Sequence, residues 1–160
     1  MKRISRIQLK WLIENLDVID AYGEIYLDQA KAFTKQIDAL AYDLRYCNKP
    51  LRSLNKNYYK LVTARQKYLD SAREFILIAR QVDTIFTKTP KTYKEALYIY
   101  ITTGDEDKAY EKCKEFYEYT SKKTFWKNYY NFLNNITATT TLNGEKIEEI
   151  QKIINNNGRK

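Results

Sequence analysis

A chain of 160 residues can bury one sizeable core, or build a long helical element with a small second unit, but it cannot form two full domains. Four glycines and two prolines leave long stretches without a helix breaker, and a net charge of +8 points to a polyanionic partner: nucleic acid, an anionic membrane surface or an acidic protein face. The complete lack of histidine removes the commonest general base, the usual catalytic zinc ligand and any Ser-His or Cys-His pair, so the chain is expected not to be an enzyme and to need no cofactor.

Glycines are too scattered for a phosphate-cradling loop. Cys47 and Cys113 lie far apart and form no CxxC pair, which reads as two small buried residues of a reducing compartment. No apolar run reaches the roughly 18 residues that span a bilayer, and Met1 to Arg6 leads into amphipathic sequence instead of a signal-peptide core. The expectation is a soluble, cytoplasmic, all-α protein with no membrane partner.

From Leu9 the chain places apolar or small residues at alternating steps of three and four: Leu9, Leu12, Leu16, Ile19, Gly23, Tyr26, Ala30, Phe33, Ile37, Leu40, Leu44, Cys47. This is the seam of a coiled-coil-like helix. Asn48-Lys49-Pro50 breaks it, because proline cannot continue the backbone ladder. A second series with the same alternation runs from Leu51 through Tyr58, Arg65, Ala72 and Phe75 to Phe86, and Thr89-Pro90 ends it. Folded back antiparallel about Lys49, partners have position numbers summing to about 98, so large residues meet small ones: Gly23 faces Phe75, Tyr26 faces Ala72 and Ala30 faces Tyr68. Asp38 then falls near Lys60 and Asp43 near Lys56. Residues 1–89 are thus expected to form a long antiparallel two-helix hairpin. It leaves Trp11, Ile13, Tyr22, Ile25, Tyr42, Leu69 and Ile76 partly outside the seam and suits homo-oligomerisation.

At the hairpin tip, Arg52, Lys56 and Lys60 repeat at helical spacing and form a secondary basic patch. Arg65 sits in the seam, where its stem can pack while its guanidinium reaches outward. An acidic stripe on the first helix, Asp17, Asp20, Glu24 and Asp28, lacks the Glu-x-x-His pairs of helical di-metal sites, and no metal is expected there.

Beyond Pro90, residues 90–160 read as a compact bundle of short helices. Thr92-Tyr93-Lys94-Glu95 has the pattern of a capping box and opens a helix that Gly104 closes. Asp105-Glu106-Asp107 places carboxylates at the start of the next helix, where the helix dipole favours them. Ser121 is a candidate N-cap for a helix from Lys122 to Ile136. Thr137 to Asn143 reads as a polar connector, and a last amphipathic helix after Gly144 uses Ile147, Ile150, Ile153 and Ile154. The Lys122–Ile136 helix has one apolar face and one that offers Lys122, Lys123, Lys127, Asn128, Asn131 and Asn134, with no acidic residue. Lysines there can meet phosphates, and asparagine can pair with adenine through two hydrogen bonds. A merely solvated face is the plain alternative.

The stretch Tyr100-Ile101-Thr102-Thr103-Gly104-Asp105, with Ala109, Cys113 and Ser121-Lys122-Lys123-Thr124-Phe125, resembles the helix-turn-helix of bacteriophage small terminase subunits and phage late-gene transcription regulators. Those families share a Tyr-x-x-x-Gly turn, a small residue in the first motif helix, and a Ser-x-x-Thr-apolar start to the reading helix. The resemblance implies a phage or mobile-element protein that binds DNA through residues 121–136 and oligomerises through its hairpin. The alternative, from a different class, is a small helical inhibitor or modulator that docks on an acidic surface of a host or phage protein and binds no DNA.

Overall fold

The structure is a computed structural model in which residues 2–46, 51–116 and 121–157 are described. Among them are seven helices and no strand: α1 (Arg6–Glu14), α2 (Leu16–Tyr46), α3 (Leu51–Lys88), α4 (Lys91–Thr103), α5 (Glu106–Phe116), α6 (Lys122–Thr140) and α7 (Gly144–Asn157). The all-α hairpin-plus-bundle expectation holds. The chain divides into two compact units: Asp17–Leu77, and Met1–Leu16 with Ile78–Lys160. The hairpin expected over residues 1–89 is therefore shared between them. None of the helices is long and apolar enough to cross a membrane.

In the Asp17–Leu77 unit, α2 and α3 pack together extensively as an antiparallel pair, with ring partners that differ in detail from those the two apolar series place opposite each other. Tyr22 stacks on Phe75 at 6.3 Å and Phe33 on Tyr68 at 5.5 Å. The Tyr26 ring straddles the buried Ala72, meeting Phe75 at 5.4 Å and Tyr68 at 6.0 Å. Gly23 lies closer to Ile76 than to the Phe75 expected opposite it. A Cβ at Gly23 would stand 2.6 Å from Ile76 Cγ1 and 3.3 Å from the Ala72 carbonyl oxygen, so the backbone occupies the hole between these two residues, one turn apart on α3. Arg65 is half-buried, and its Nε has no hydrogen-bond partner among the described residues. Asp43 and Lys60 line the same groove between α2 and α3. Cys47 lies outside the described residues.

The first apolar series is not one unbroken helix. Asn15 ends α1: its backbone N–H donates to the carbonyls of Trp11 (3.0 Å) and Leu12 (3.2 Å), and its side-chain amide donates to Trp11 at 2.7 Å. A short amide that competes for backbone partners stops the ladder for one residue before α2 begins. The start also lies earlier than Leu9. Ser5 and Gln8 form a reciprocal capping box, with Gln8 N–H donating to Ser5 Oγ (3.2 Å) and Ser5 N–H donating to Gln8 Oε1 (3.0 Å).

In the other unit α1 packs against α4 and α7. Gly144, at the start of α7, donates to the Lys2 carbonyl at 2.9 Å and accepts from the Gln8 side chain at 3.0 Å, which pins the segment before α1. Helix α4 begins at Lys91 with Pro90 as N-cap and no side-chain capping bond, so Thr92 falls inside its first turn and the expected capping box is not used. Gly104 closes α4 in the left-handed region at φ 74°. Asp105 caps α5 by accepting from Lys108 N–H at 3.1 Å, with Glu106 and Asp107 in the first turn as expected. Ser121 caps α6, accepting from Thr124 N–H at 3.2 Å. That helix runs one turn beyond Ile136, because Thr137 and Thr140 bond back to the carbonyls of Leu133 and Ile136 and so remain compatible with helix. Only residues 141–143 form the connector. The core gathers Leu9, Leu12, Leu97, Ile101, Phe125, Ile136, Leu142 and Ile147, all fully buried.

Candidate nucleic-acid interface

The apolar side of α6 buries Phe125, Tyr129, Phe132, Leu133 and Ile136, and this fixes which way its polar residues point. Lys123, Lys127, Asn131 and Asn134 recur at steps of four, four and three, share one outward face, and are all exposed. Neither Lys123 nor Lys127 has an ion pair among the described residues.

Two of the six expected residues leave this face. Lys122 turns towards α5, where its ammonium meets Asp107 at 3.2 Å and lies 5.8 Å from the Tyr110 ring centre. Asn128 is half-buried and donates back to the Thr124 carbonyl at 3.0 Å. It lines a groove of about 410 Å³ with Asn131, Asn135, Tyr93 and Lys88. Asn131 thus belongs to both the groove and the outward face.

Arg3 joins the outward face. Its guanidinium carbon lies 4.5 Å from the centre of the Tyr130 ring, which is 40% exposed and sits between Lys127 and Asn134 along the helix. The segment before α1 delivers it, held by Gly144 and by a 2.6 Å ion pair between Lys2 and Glu148. That ion pair holds the Glu148 carboxyl below its ordinary pKa and raises that of Lys2. A contact between the start of the chain and α6 leaves no mark in local sequence patterns, so Arg3 could not be identified from them.

Behind this face, Tyr100, Phe125, Trp126, Tyr129 and Tyr130 form an edge-to-face cluster with ring centres 5.0–6.0 Å apart. Burial pushes the Tyr129 phenol up to about 12 and raises Tyr100 as well. The cluster locks the rotation of α6 about its axis, a precondition for presenting a defined row of side chains.

On α3, Lys56 and Lys60 are exposed as expected, and Arg52 lies one turn nearer the helix start, its side chain outside the described residues. Among the described residues no cluster of three or more potential metal ligands occurs, the acidic stripe of α2 included.

No family model, no curated protein and no solved structure matches this chain.

Proposed function

We propose that this chain is a DNA-binding protein, a transcription regulator or packaging subunit of the phage type, which contacts DNA through the outward face of α6. The observation that carries this reading is a row of Lys123, Lys127, Asn131 and Asn134 on a helix without a single carboxylate, with neither ammonium group ion-paired among the described residues and the opposite side of the helix sealed in the core. Lysines supply sequence-independent attraction to phosphates, and asparagine amides match the N6 and N7 edge of adenine in the major groove. Helix α5 packs on both α4 and α6, which suits a helix-turn-helix support for a reading helix. Arg3 and Lys127 would position the helix, and Asn131 and Asn134 would read bases.

A gel-shift with a genomic fragment library at rising salt tests the proposal. Selective retention of a few fragments over random competitor is expected; binding that never exceeds the competitor removes the reading role.

A second reading, a protein that docks on another protein, is favoured by Ile25 (50% exposed), Tyr42 (62%) and Leu77 (44%) on the hairpin unit. A pull-down yielding one stoichiometric protein and no DNA would select it. The same side chains suit self-association, which light scattering on the purified chain measures.

A further inference from the structure

Helix α3 carries an arrangement that the α6 reading does not use. Lys56, Lys60 and Lys67 are exposed along one side of the helix and flank Tyr59, the most exposed aromatic side chain among the described residues at 69%. Together with Thr63 and Ala64 they line a shallow groove of about 520 Å³. From Lys56 to Lys67 the row extends about 16 Å along the helix axis. None of the three ammonium groups has an ion pair among the described residues, and no carboxylate lines the groove. Asp70 accepts from the Gln66 amide at 2.8 Å, and Asp43 lines the separate groove between α2 and α3, which Lys60 also borders. The small Ala64 and the Thr63 hydroxyl, which is tied back to the Tyr59 carbonyl at 2.8 Å, leave room beside the ring.

We propose that this face of α3 binds single-stranded nucleic acid, with Lys56, Lys60 and Lys67 on phosphates and the Tyr59 ring stacked on a base. A solvated charged face has no use for an exposed aromatic ring in its middle, whereas strand-binding grooves combine backbone cations with a ring on which a base stacks. Tyr58 braces that ring edge-on, with centres 5.9 Å apart and planes at 80°, so little side-chain freedom is lost on stacking. Duplex DNA keeps its bases stacked inside and offers the ring nothing, which is why the site is assigned to a single strand. The assignment does not rest on α6.

Fluorescence anisotropy of a labelled oligothymidine tests it, with the full chain and with a Lys123→Glu/Lys127→Glu chain in which α6 is silenced, so that the two sites fail separately. In both backgrounds, reversing Lys56, Lys60 and Lys67 to Glu is expected to weaken binding about tenfold or more and to make the salt slope shallower by about two. Tyr59→Ala should weaken binding about fivefold or more at an unchanged slope, and Tyr59→Phe should retain it. Circular dichroism checks the fold, and a triple Gln variant replaces the Glu variant if the latter unfolds. Unchanged affinity in the triple variant overturns the site. An inert Tyr59→Ala overturns the single-strand assignment, as does poly-glutamate that competes as well as the oligonucleotide charge for charge, which would mark an acidic protein partner instead.

Discussion

The guanidinium of Arg6 donates to the carbonyl oxygen of Ile101 at 2.9 Å, so that a side chain from α1 closes the C-terminal end of α4. Gly104 ends the same helix, and a Cβ there would lie 3.0 Å from the Arg6 guanidinium carbon while its backbone holds φ 74°. Arg6→Ala is expected to cost about 1.5–3 kcal/mol, the range for a hydrogen bond from a charged group, and Arg6→Lys should recover only part of it. Gly104→Ala should cost about 1 kcal/mol or more through backbone conformation and crowding of Arg6. Urea midpoints measure all three.

At Gly23 the α2 backbone comes close to α3: a Cβ there would stand 2.6 Å from Ile76 Cγ1 and 3.2 Å from the Ile76 backbone nitrogen. Gly23→Ala gains up to about 1 kcal/mol of helix propensity, yet forces its methyl group against Ile76 and the α3 backbone, where overpacking typically costs about 1–3 kcal/mol. Net destabilisation is expected, and Ile76→Val in the same chain should relieve part of it. A double-variant cycle in urea reads the coupling. Additive effects would show that the two residues do not press on each other.

The antiparallel pairing of α2 and α3 was legible because two apolar series of matching alternation constrain each other at every turn, but the individual ring partners were not: Tyr22 stacks on the Phe75 expected opposite Gly23, and Phe33 stacks on the Tyr68 expected opposite Ala30. Nor was the break at Asn15, since one amide bonding backward leaves the apolar alternation undisturbed. Threonines at 137 and 140 suggested a connector by their β-branching, but their hydroxyls bond back to carbonyls one turn earlier and extend α6. For the candidate interface, the sequence put Lys122, Lys123, Lys127, Asn128, Asn131 and Asn134 on one face; Lys123, Lys127, Asn131 and Asn134 share an exposed face, whereas Asn128 is half-buried and bonded back to Thr124. The diversion of Lys122 to Asp107 and the arrival of Arg3 over Tyr130 depend on tertiary placement, which periodicity does not contain.

Cys113 is fully buried on α5, and burial raises its thiol pKa. In a Cys47→Ser chain, reaction of Cys113 with a thiol reagent should therefore proceed only through opening of the surrounding bundle. The labelling rate is expected to rise in Arg6→Ala along with the loss of stability. Rapid labelling of the native chain, at a rate insensitive to Arg6, would contradict the buried placement.

Tyr129 favours its neutral form in the fold, where its pKa reaches about 12. For a raised pKa, the stabilisation is fully present below the unfolded-state value of about 10 and is lost as pH climbs through the folded-state value. Stability should thus decline between about pH 10 and 12, and Tyr129→Phe should flatten this decline. Tyr26 and Tyr100, also raised by burial, would account for the remainder. Thermal midpoints across that range, with phenolate absorbance recorded in parallel, provide the check.

The DNA-binding reading depends most directly on Lys123 and Lys127. Salt-dependent affinity for a duplex fragment selected by the wild-type chain, compared with that of a folded Lys123→Glu/Lys127→Glu chain, is the measurement that tests it. If α6 meets the phosphates, affinity falls and the salt slope becomes shallower by about two, while Asn131→Ala on its own reduces discrimination between fragments without changing the slope. Equal affinity and equal slope in the two chains would contradict the account.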